Sequence, residues 1–290
     1  MSSTNKKLLI TGSQGMFASD LTRVASEEGY EVIGLPHGEL DVTDAEQVRG
    51  AIEGHAPDLV VNTPGANVDA CEEQPEVGYR LHTWAGQIVA RQCQRTGAAF
   101  VYMSTCGLFG DENRAHSEYD PVELKTQYAR SKYLGEQVAR EACDRTLVIR
   151  PGWLFGGDPE HQRNFVYQRY LEAQRQPVLR SASDKFGSPT NTGDLAKIIL
   201  KLANAEEYGL YHVTNQGSGS RYDYVKCIVE AFGLDNQVEP IDSSAFPRSA
   251  PVPDCEILED LNLKFLGLAQ PEPWQEAIHR YAKLLQSHIA

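Results

Sequence analysis

Long apolar runs are missing from this 290-residue sequence. The best of them, Leu8-Leu9-Ile10 and the core of Asp58–Asn62, are far too short to cross a bilayer, so no membrane partner is expected. Met1–Lys7 has no apolar h-region, and a secretory leader is not expected either. Paired cysteines are missing too. Cys71, Cys93, Cys106, Cys143, Cys227 and Cys255 are widely spaced with no Cys-x-x-Cys. That argues against a zinc site and against a disulfide framework; no metal is expected, and a reducing cytoplasm is. Basic runs are absent as well, with 27 Lys and Arg against 40 Asp and Glu and a formal charge of −13. Such a surface repels phosphate backbones, so nucleic acid is not an expected partner. A small anion held by backbone N–H groups remains compatible with it. Internal repeats, low-complexity tracts and long linkers are not found.

What is present is alternation. Short β-branched runs at Lys7–Thr11, Glu31–Leu35, Asp58–Asn62, Ala99–Ser104 and Thr146–Arg150 are separated by helical patterns over Met16–Glu28, Asp44–Gly54, Val77–Thr96 and Thr126–Cys143. Strands that read as continuous apolar runs are buried on both faces, as in a parallel sheet covered by helices. The prediction is an α/β fold with a doubly wound parallel sheet of Rossmann type. After Arg150 the rhythm breaks. Gly152–Gly157 reads as a loop, Asn164–Gln176 as a helix and Lys185–Asn191 as a Gly/Pro turn. A helix over Thr192–Ala205 and a sixth strand, Leu210–Asn215, follow, then helices over Arg221–Phe232 and Glu272–Gln286, with a proline-rich loop at Ser243–Asp254. This predicts a dinucleotide-binding domain over 1–150, to which 185–215 returns. A smaller substrate lobe comprises 151–184 and 216–290 and lies over the carboxyl edge of the sheet, where open α/β folds bind ligands.

The first strand runs into Thr11-Gly12-Ser13-Gln14-Gly15-Met16-Phe17-Ala18 and then a helix. Glycine there lets the backbone approach a pyrophosphate, and the helix N-terminus offers free N–H groups. The pattern is Gly-x-x-Gly-x-x-Ala, a weak signal that a plain βα turn of a flavodoxin-like fold would share. Gly217-Ser-Gly-Ser220 is also glycine-rich and reads as an ordinary loop. After the second strand comes Leu35-Pro36-His37-Gly38-Glu39-Leu40-Asp41, with no carboxylate directly at the strand end for a ribose diol. His37 is a candidate for a 2′-phosphate, against the blander reading of an exposed histidine. NADPH is therefore the preferred cofactor, and NADH stays possible.

Tyr128-Ala-Arg-Ser-Lys132 lies in a helical stretch, where a spacing of four puts both side chains on one face. A nearby ammonium stabilises a phenolate, so the tyrosine can exchange a proton with a substrate oxygen. Ser104-Thr105, at the end of the fourth strand, supplies a hydroxyl to fix a carbonyl. Tyr222-Asp-Tyr-Val-Lys226 repeats the spacing but has no such partner, and reads as helix surface and packing.

The chain resembles the dTDP-4-dehydrorhamnose reductase family of extended short-chain dehydrogenases along nearly its full length. The resemblance is carried by Gly12-Ser-Gln-Gly15, Glu39-Leu-Asp-Val-Thr-Asp44, Asp58-Leu-Val-Val-Asn62, Val68-Asp-Ala-Cys-Glu72, Ser104-Thr105, Tyr128-x-x-x-Lys132 with Gly135-Glu136, Arg150-Pro-Gly-Trp153 and Phe186-Gly-Ser-Pro-Thr190. It implies hydride transfer to C4 of a nucleotide-linked 4-keto-6-deoxy sugar. Tyr128 would be the proton donor, Lys132 its activator and Thr105 the hydroxyl that positions the keto group. The resemblance puts Gly15, Met16 and Phe17 along the pyrophosphate and Asp41 and Val42 near the adenine, with Gly12 and Gln14 also in the cofactor site. His37, Thr63, Pro64 and Gly65, together with Tyr128 and Lys132, would complete the cofactor site. Ser104, Thr105, Cys106 and Trp153 would line the substrate pocket, although Trp153 reads equally well as a core aromatic. A homodimer paired through helices on the sheet face is compatible with such a fold.

Three departures stand out. Cys106-Gly107 replaces the usual Asp-Tyr, Thr63–Asn67 is short and lacks an Ala-Ala-aromatic run, and Val252-Pro253 replaces Arg-Pro. Because the acid–base pair is intact, a changed substrate is the expectation. The alternatives are an epimerase of the same superfamily and a regulatory subunit that binds a dinucleotide without turnover. A dehydratase would need an Asp-Glu pair beside the threonine, which Cys106-Gly107 does not supply.

Overall fold

The computed structural model describes residues 5–159, 161 and 164–289, so Met1–Thr4 of the polar leader lie outside the described residues. Its centre is a six-stranded parallel sheet of β1 (Lys7–Thr11), β2 (Glu31–Leu35), β3 (Leu59–Asn62), β4 (Ala99–Met103), β5 (Thr146–Pro151) and β6 (Gly209–Val213). The order is β6-β5-β4-β3-β1-β2. Neighbours pair in parallel throughout, for example Leu9 with Val60 and Tyr102 with Val148. Both faces are covered, because alternate residues of one apolar run serve opposite cores. Leu8 and Ile10 pack with α1 (Met16–Glu27) and α5 (Thr192–Asn204), whereas Leu9 packs with Val48 and Ile52 of α2 (Ala45–His55) and Val89 of α3 (Ala85–Thr96).

The chain leaves β1 in one direction for β2 and then crosses back over β1 to β3. The carboxyl ends of β1 and β3 therefore flank a switch point, the place where open α/β sheets hold ligands. Gly12, at φ +67°, turns the chain there, and a Cβ on it would meet Pro64 Cγ at 2.9 Å and Thr63 Oγ1 at 3.0 Å. Only glycine lets the two strand ends close up in this way.

A third core, with Phe109, Phe155, Tyr224, Trp274 and Tyr281, lies under the later segments. Gly152–Gly157 is not simply a loop: Trp153–Phe155 is a strand paired in parallel with Pro189–Asn191, which lies in the supposed turn region. Gly219–Ser220 is not plain loop either. It pairs with Phe186–Gly187, and Ser220 caps α6 (Arg221–Ala231) through a capping box with Asp223. Val178–Ala182 and Gln237–Ile241 form a parallel pair that the sequence pattern did not suggest. The long helix expected over Val77–Thr96 starts at Pro75 and passes through a π-helical segment, Tyr79–Trp84, before α3. No helix among the described residues is long and apolar enough to cross a membrane.

Candidate active site

The helix α4 (Gln127–Ala142) brings the acid–base candidates to the carboxyl edge of the sheet. It begins where Thr126 accepts the Ala129 N–H at 3.0 Å and Glu72 accepts the Gln127 N–H at 3.0 Å. Its flank is clamped to β5 by a buried bidentate pair: Arg150 donates to both oxygens of Glu136, at 2.8 and 2.7 Å. Gly135 lets α4 meet the π segment closely, since a Cβ there would overlap Tyr102 and lie 2.7 Å from the His82 carbonyl oxygen.

Tyr128 and Thr105 line one cavity of about 920 Å³ together with Ser104, Cys106 and Trp153. Thr105 stands beside Tyr128 in the lining, and its Oγ1 accepts the Gly107 N–H at 3.1 Å. Burial pushes the phenol's pKa up, and the nearby Thr105 hydroxyl opposes that shift. Lys132 is buried behind the tyrosine. Its Nζ donates to the Met103 carbonyl at 2.8 Å and lies 5.9 Å from the Tyr128 ring centroid. Burial lowers this ammonium to about 8, against the pull of Cys71 and Glu136. The simple expectation of a lysine holding the phenol acidic is thus not what the geometry displays. Burial dominates, and the tyrosine is kept as a neutral acid.

Of the two hydroxyls in Ser104-Thr105, the structure commits one elsewhere. Ser104 donates to Glu136, so it supports the Glu136–Arg150 clamp, while Thr105 faces Tyr128. Cys106 is buried and turns its thiol to Glu256 Oε1 at 3.6 Å; burial raises that thiol's pKa well above its ordinary range. Trp153 is both core and lining: it packs with Phe155 and Tyr224, and its indole N–H donates to Glu256 Oε2 at 2.7 Å. Tyr222 and Lys226 do not line this cavity; Lys226 is exposed, 4.0 Å from Glu230.

The expected cofactor residues gather around the switch point. Gly15 opens α1 with no side-chain cap, which leaves the first-turn N–H groups from Met16 onward for an anion, with Gln14 exposed above them. Phe17 is buried in the core, so only its main chain can face a ligand. Thr63 donates its hydroxyl to the carbonyls of Thr11 and Gly12, at 2.7 and 3.1 Å. From Pro64, beside Gly12, the chain reaches Gly65, whose Cβ position would lie 3.7 Å from Lys132 Nζ. One short loop therefore connects the glycine turn to the acid–base centre. At the adenine end, His37 is exposed beyond β2, and Asp41 is held below the usual carboxylate range by the Thr43 N–H and hydroxyl. The Val42 side chain is buried with Leu40 and Val48, leaving its backbone for a ligand. These residues fit a dinucleotide, with open N–H groups at the turn, no acid at the end of β2 and a free imidazole beyond it.

His82 was not singled out by the sequence. It is buried in the π segment, accepts the Ala66 N–H on Nε2 at 3.2 Å, and lies 2.8 Å from Ser131 Oγ through Nδ1. Because Ser131 Oγ donates to the Tyr128 carbonyl, Nδ1 must carry the proton. The imidazole ring sits edge-on to Tyr128, 5.2 Å between centroids. Burial, and then Lys132, push its pKa far down, so it stays neutral. It ties the loop after β3 to α4.

The chain is similar to known proteins over nearly its whole length. It matches the family described as RmlD substrate binding domain over residues 6–287. It is similar to the spore coat polysaccharide biosynthesis protein SpsK of Bacillus subtilis, 32% identical over 277 residues that cover 95% of this chain and 96% of that one. The dTDP-4-dehydrorhamnose reductase of Mycobacterium tuberculosis is 32% identical over 286 residues, 96% of this chain and 93% of that protein. Among solved structures, the dTDP-4-dehydrorhamnose reductase of Bacillus anthracis in complex with NADP superposes with a TM-score of 0.91 at 27% identity, covering 96% and 99%. The chain belongs to the RmlD substrate binding domain family, that of the dTDP-4-dehydrorhamnose reductases.

Proposed function

We propose that this chain is an NADPH-dependent reductase of the keto group of a nucleotide-linked 4-keto-6-deoxy sugar. The observation that carries the reading is that Tyr128 and Thr105 line one cavity with the Lys132 ammonium buried behind the Tyr128 ring, in a chain that matches its family over residues 6–287. NADPH, when bound, supplies the hydride. The Gly12–Phe17 turn would hold its pyrophosphate, His37 its 2′-phosphate, and the Thr63–Gly65 loop would lead it towards Lys132.

The chain's own part is to orient and to protonate. Thr105 holds the substrate oxygen beside the Tyr128 hydroxyl. As the carbonyl carbon gains hydride, its oxygen becomes an alkoxide, and Tyr128 gives up its proton to make the alcohol. A phenolate is then left in a buried site, where the Lys132 ammonium is the compensating charge. A raised phenol pKa in the resting protein suits this direction, because the acid must arrive protonated. An epimerase would also use such a centre, but the family match favours the reductase. The test is NADPH consumption with a panel of keto-sugar nucleotides. Steady consumption supports the reading; NADPH binding without turnover on any of them overturns it in favour of a regulatory subunit.

A further inference from the structure

Three basic side chains line the cavity beside Thr105 and Tyr128: Lys185, Arg221 and Arg248. Two of them are already neutralised. Lys185 reaches the Asp254 carboxylate at 2.5 Å, and Arg248 reaches that of Asp69 at 2.8 Å. Arg221 is different. Its guanidinium lies 3.5 Å from the centroid of the Trp153 ring and 5.7 Å from that of Phe165, and among the described residues it forms no ion pair. Glu256, which attracts it, spends its own oxygens on the Trp153 indole and the Cys106 thiol.

A guanidinium laid on an aromatic face has shed water from that face, and its N–H donors are held in one plane. An unpaired cation in a half-buried position is costly, and an anion that met its N–H edge would recover that cost through charge-assisted bonds. The chain as a whole carries a charge of −13, so an unclaimed cation here is not a by-product of a basic surface. The platform is also tied to the reacting end of the cavity. A Cβ on Gly107 would lie 3.1 Å from Glu256 Oε1 and 3.6 Å from Thr105 Oγ1. A line of contacts thus runs from Thr105 past Gly107 and Glu256 to Trp153, and Arg221 lies on it.

We propose that Arg221, stacked on Trp153, binds the diphosphate of the nucleotide-linked substrate and so sets how far the sugar reaches towards Thr105 and Tyr128. This rests on the reading of the substrate given above. The planar fork matches phosphate oxygens bidentately, and the cofactor's pyrophosphate has a separate place at the Gly12–Phe17 turn.

The test is calorimetric titration of dTDP, with thymidine as the phosphate-free control, into the wild type, Arg221→Gln and Arg248→Gln, with NADPH binding measured on each. The expected result is a loss of dTDP affinity of roughly 10- to 100-fold in Arg221→Gln, the size of a lost charge-assisted bond. NADPH and thymidine binding should be unchanged, and that also shows that the variant is folded. Arg248→Gln should keep the wild-type affinity for dTDP. Wild-type affinity for dTDP in Arg221→Gln, a loss confined to Arg248→Gln, or no dTDP binding by the wild type would overturn the proposal. Arg221-dependent dTDP binding without reduction of any keto sugar would sink the reductase reading and leave this one standing. Turnover with Arg221-independent binding would do the reverse.

Discussion

The ammonium of Lys132 lies under the ring of Tyr128, 5.9 Å from its centroid, and is anchored by the Met103 carbonyl at 2.8 Å. The pair is therefore offset. The lysine does not bond the phenol in the resting geometry but stands where a phenolate would need compensating charge.

That placement sets a pH dependence. Burial lowers Lys132 to about 8, so the cationic form is complete below that pH and is lost as pH rises through it. The value of kcat/KM, which reports the free enzyme, should fall above about pH 8, whereas an unperturbed lysine would hold activity to about 10.4. A profile flat to pH 10 would show that the charge on Lys132 is not needed. Stability should move the other way. The folded-state pKa lies below the unfolded one, so the unfolded chain binds more protons and this group's contribution to stability rises between pH 8 and about 10.4.

His82 offers a second check. Replacing it with leucine removes the acceptor for Ala66 N–H and the donor to Ser131. Leaving such buried groups unsatisfied costs about 1–3 kcal/mol, to be read from chemical unfolding. Because His82 is held neutral, the wild-type activity profile should show no inflection from it near pH 6.5.

The clamp between Glu136 and Arg150 is 2–3% exposed, and breaking one side strands a buried charge. Arg150→Met should lower unfolding stability by about 3–5 kcal/mol. A loss under 1 kcal/mol would mean that the pair does not hold α4 against β5.

Much of the fold was legible because its signals are local. β1, β3, β4 and β5 are runs buried on both faces, β2 is a partly exposed edge strand, and the limits of all five were read to within a residue. The short strands Trp153–Phe155 and Pro189–Asn191 could not be read, since three residues carry no period and exist only through each other. Val178–Ala182 shows no clean alternation of exposed and buried residues, Gln237–Ile241 has no buried residue, and Pro240 masks the second further. The same divide runs through the site. Tyr128, Lys132 and Thr105 announce themselves by spacing and strand-end position. His82, Glu256 and Arg221 matter through contacts with residues distant in sequence, such as His82 with Ser131 or Glu256 with Trp153. The π segment that turns His82 inward is hidden inside an otherwise helical pattern.

The most direct measurement is the turnover of Tyr128→Phe with saturating NADPH and a keto-sugar nucleotide, alongside Tyr222→Phe. A fall of roughly 10²–10⁴-fold in kcat is expected for Tyr128→Phe, with NADPH affinity retained and Tyr222→Phe close to wild type. Full activity in Tyr128→Phe, or an equal loss in Tyr222→Phe, would contradict it.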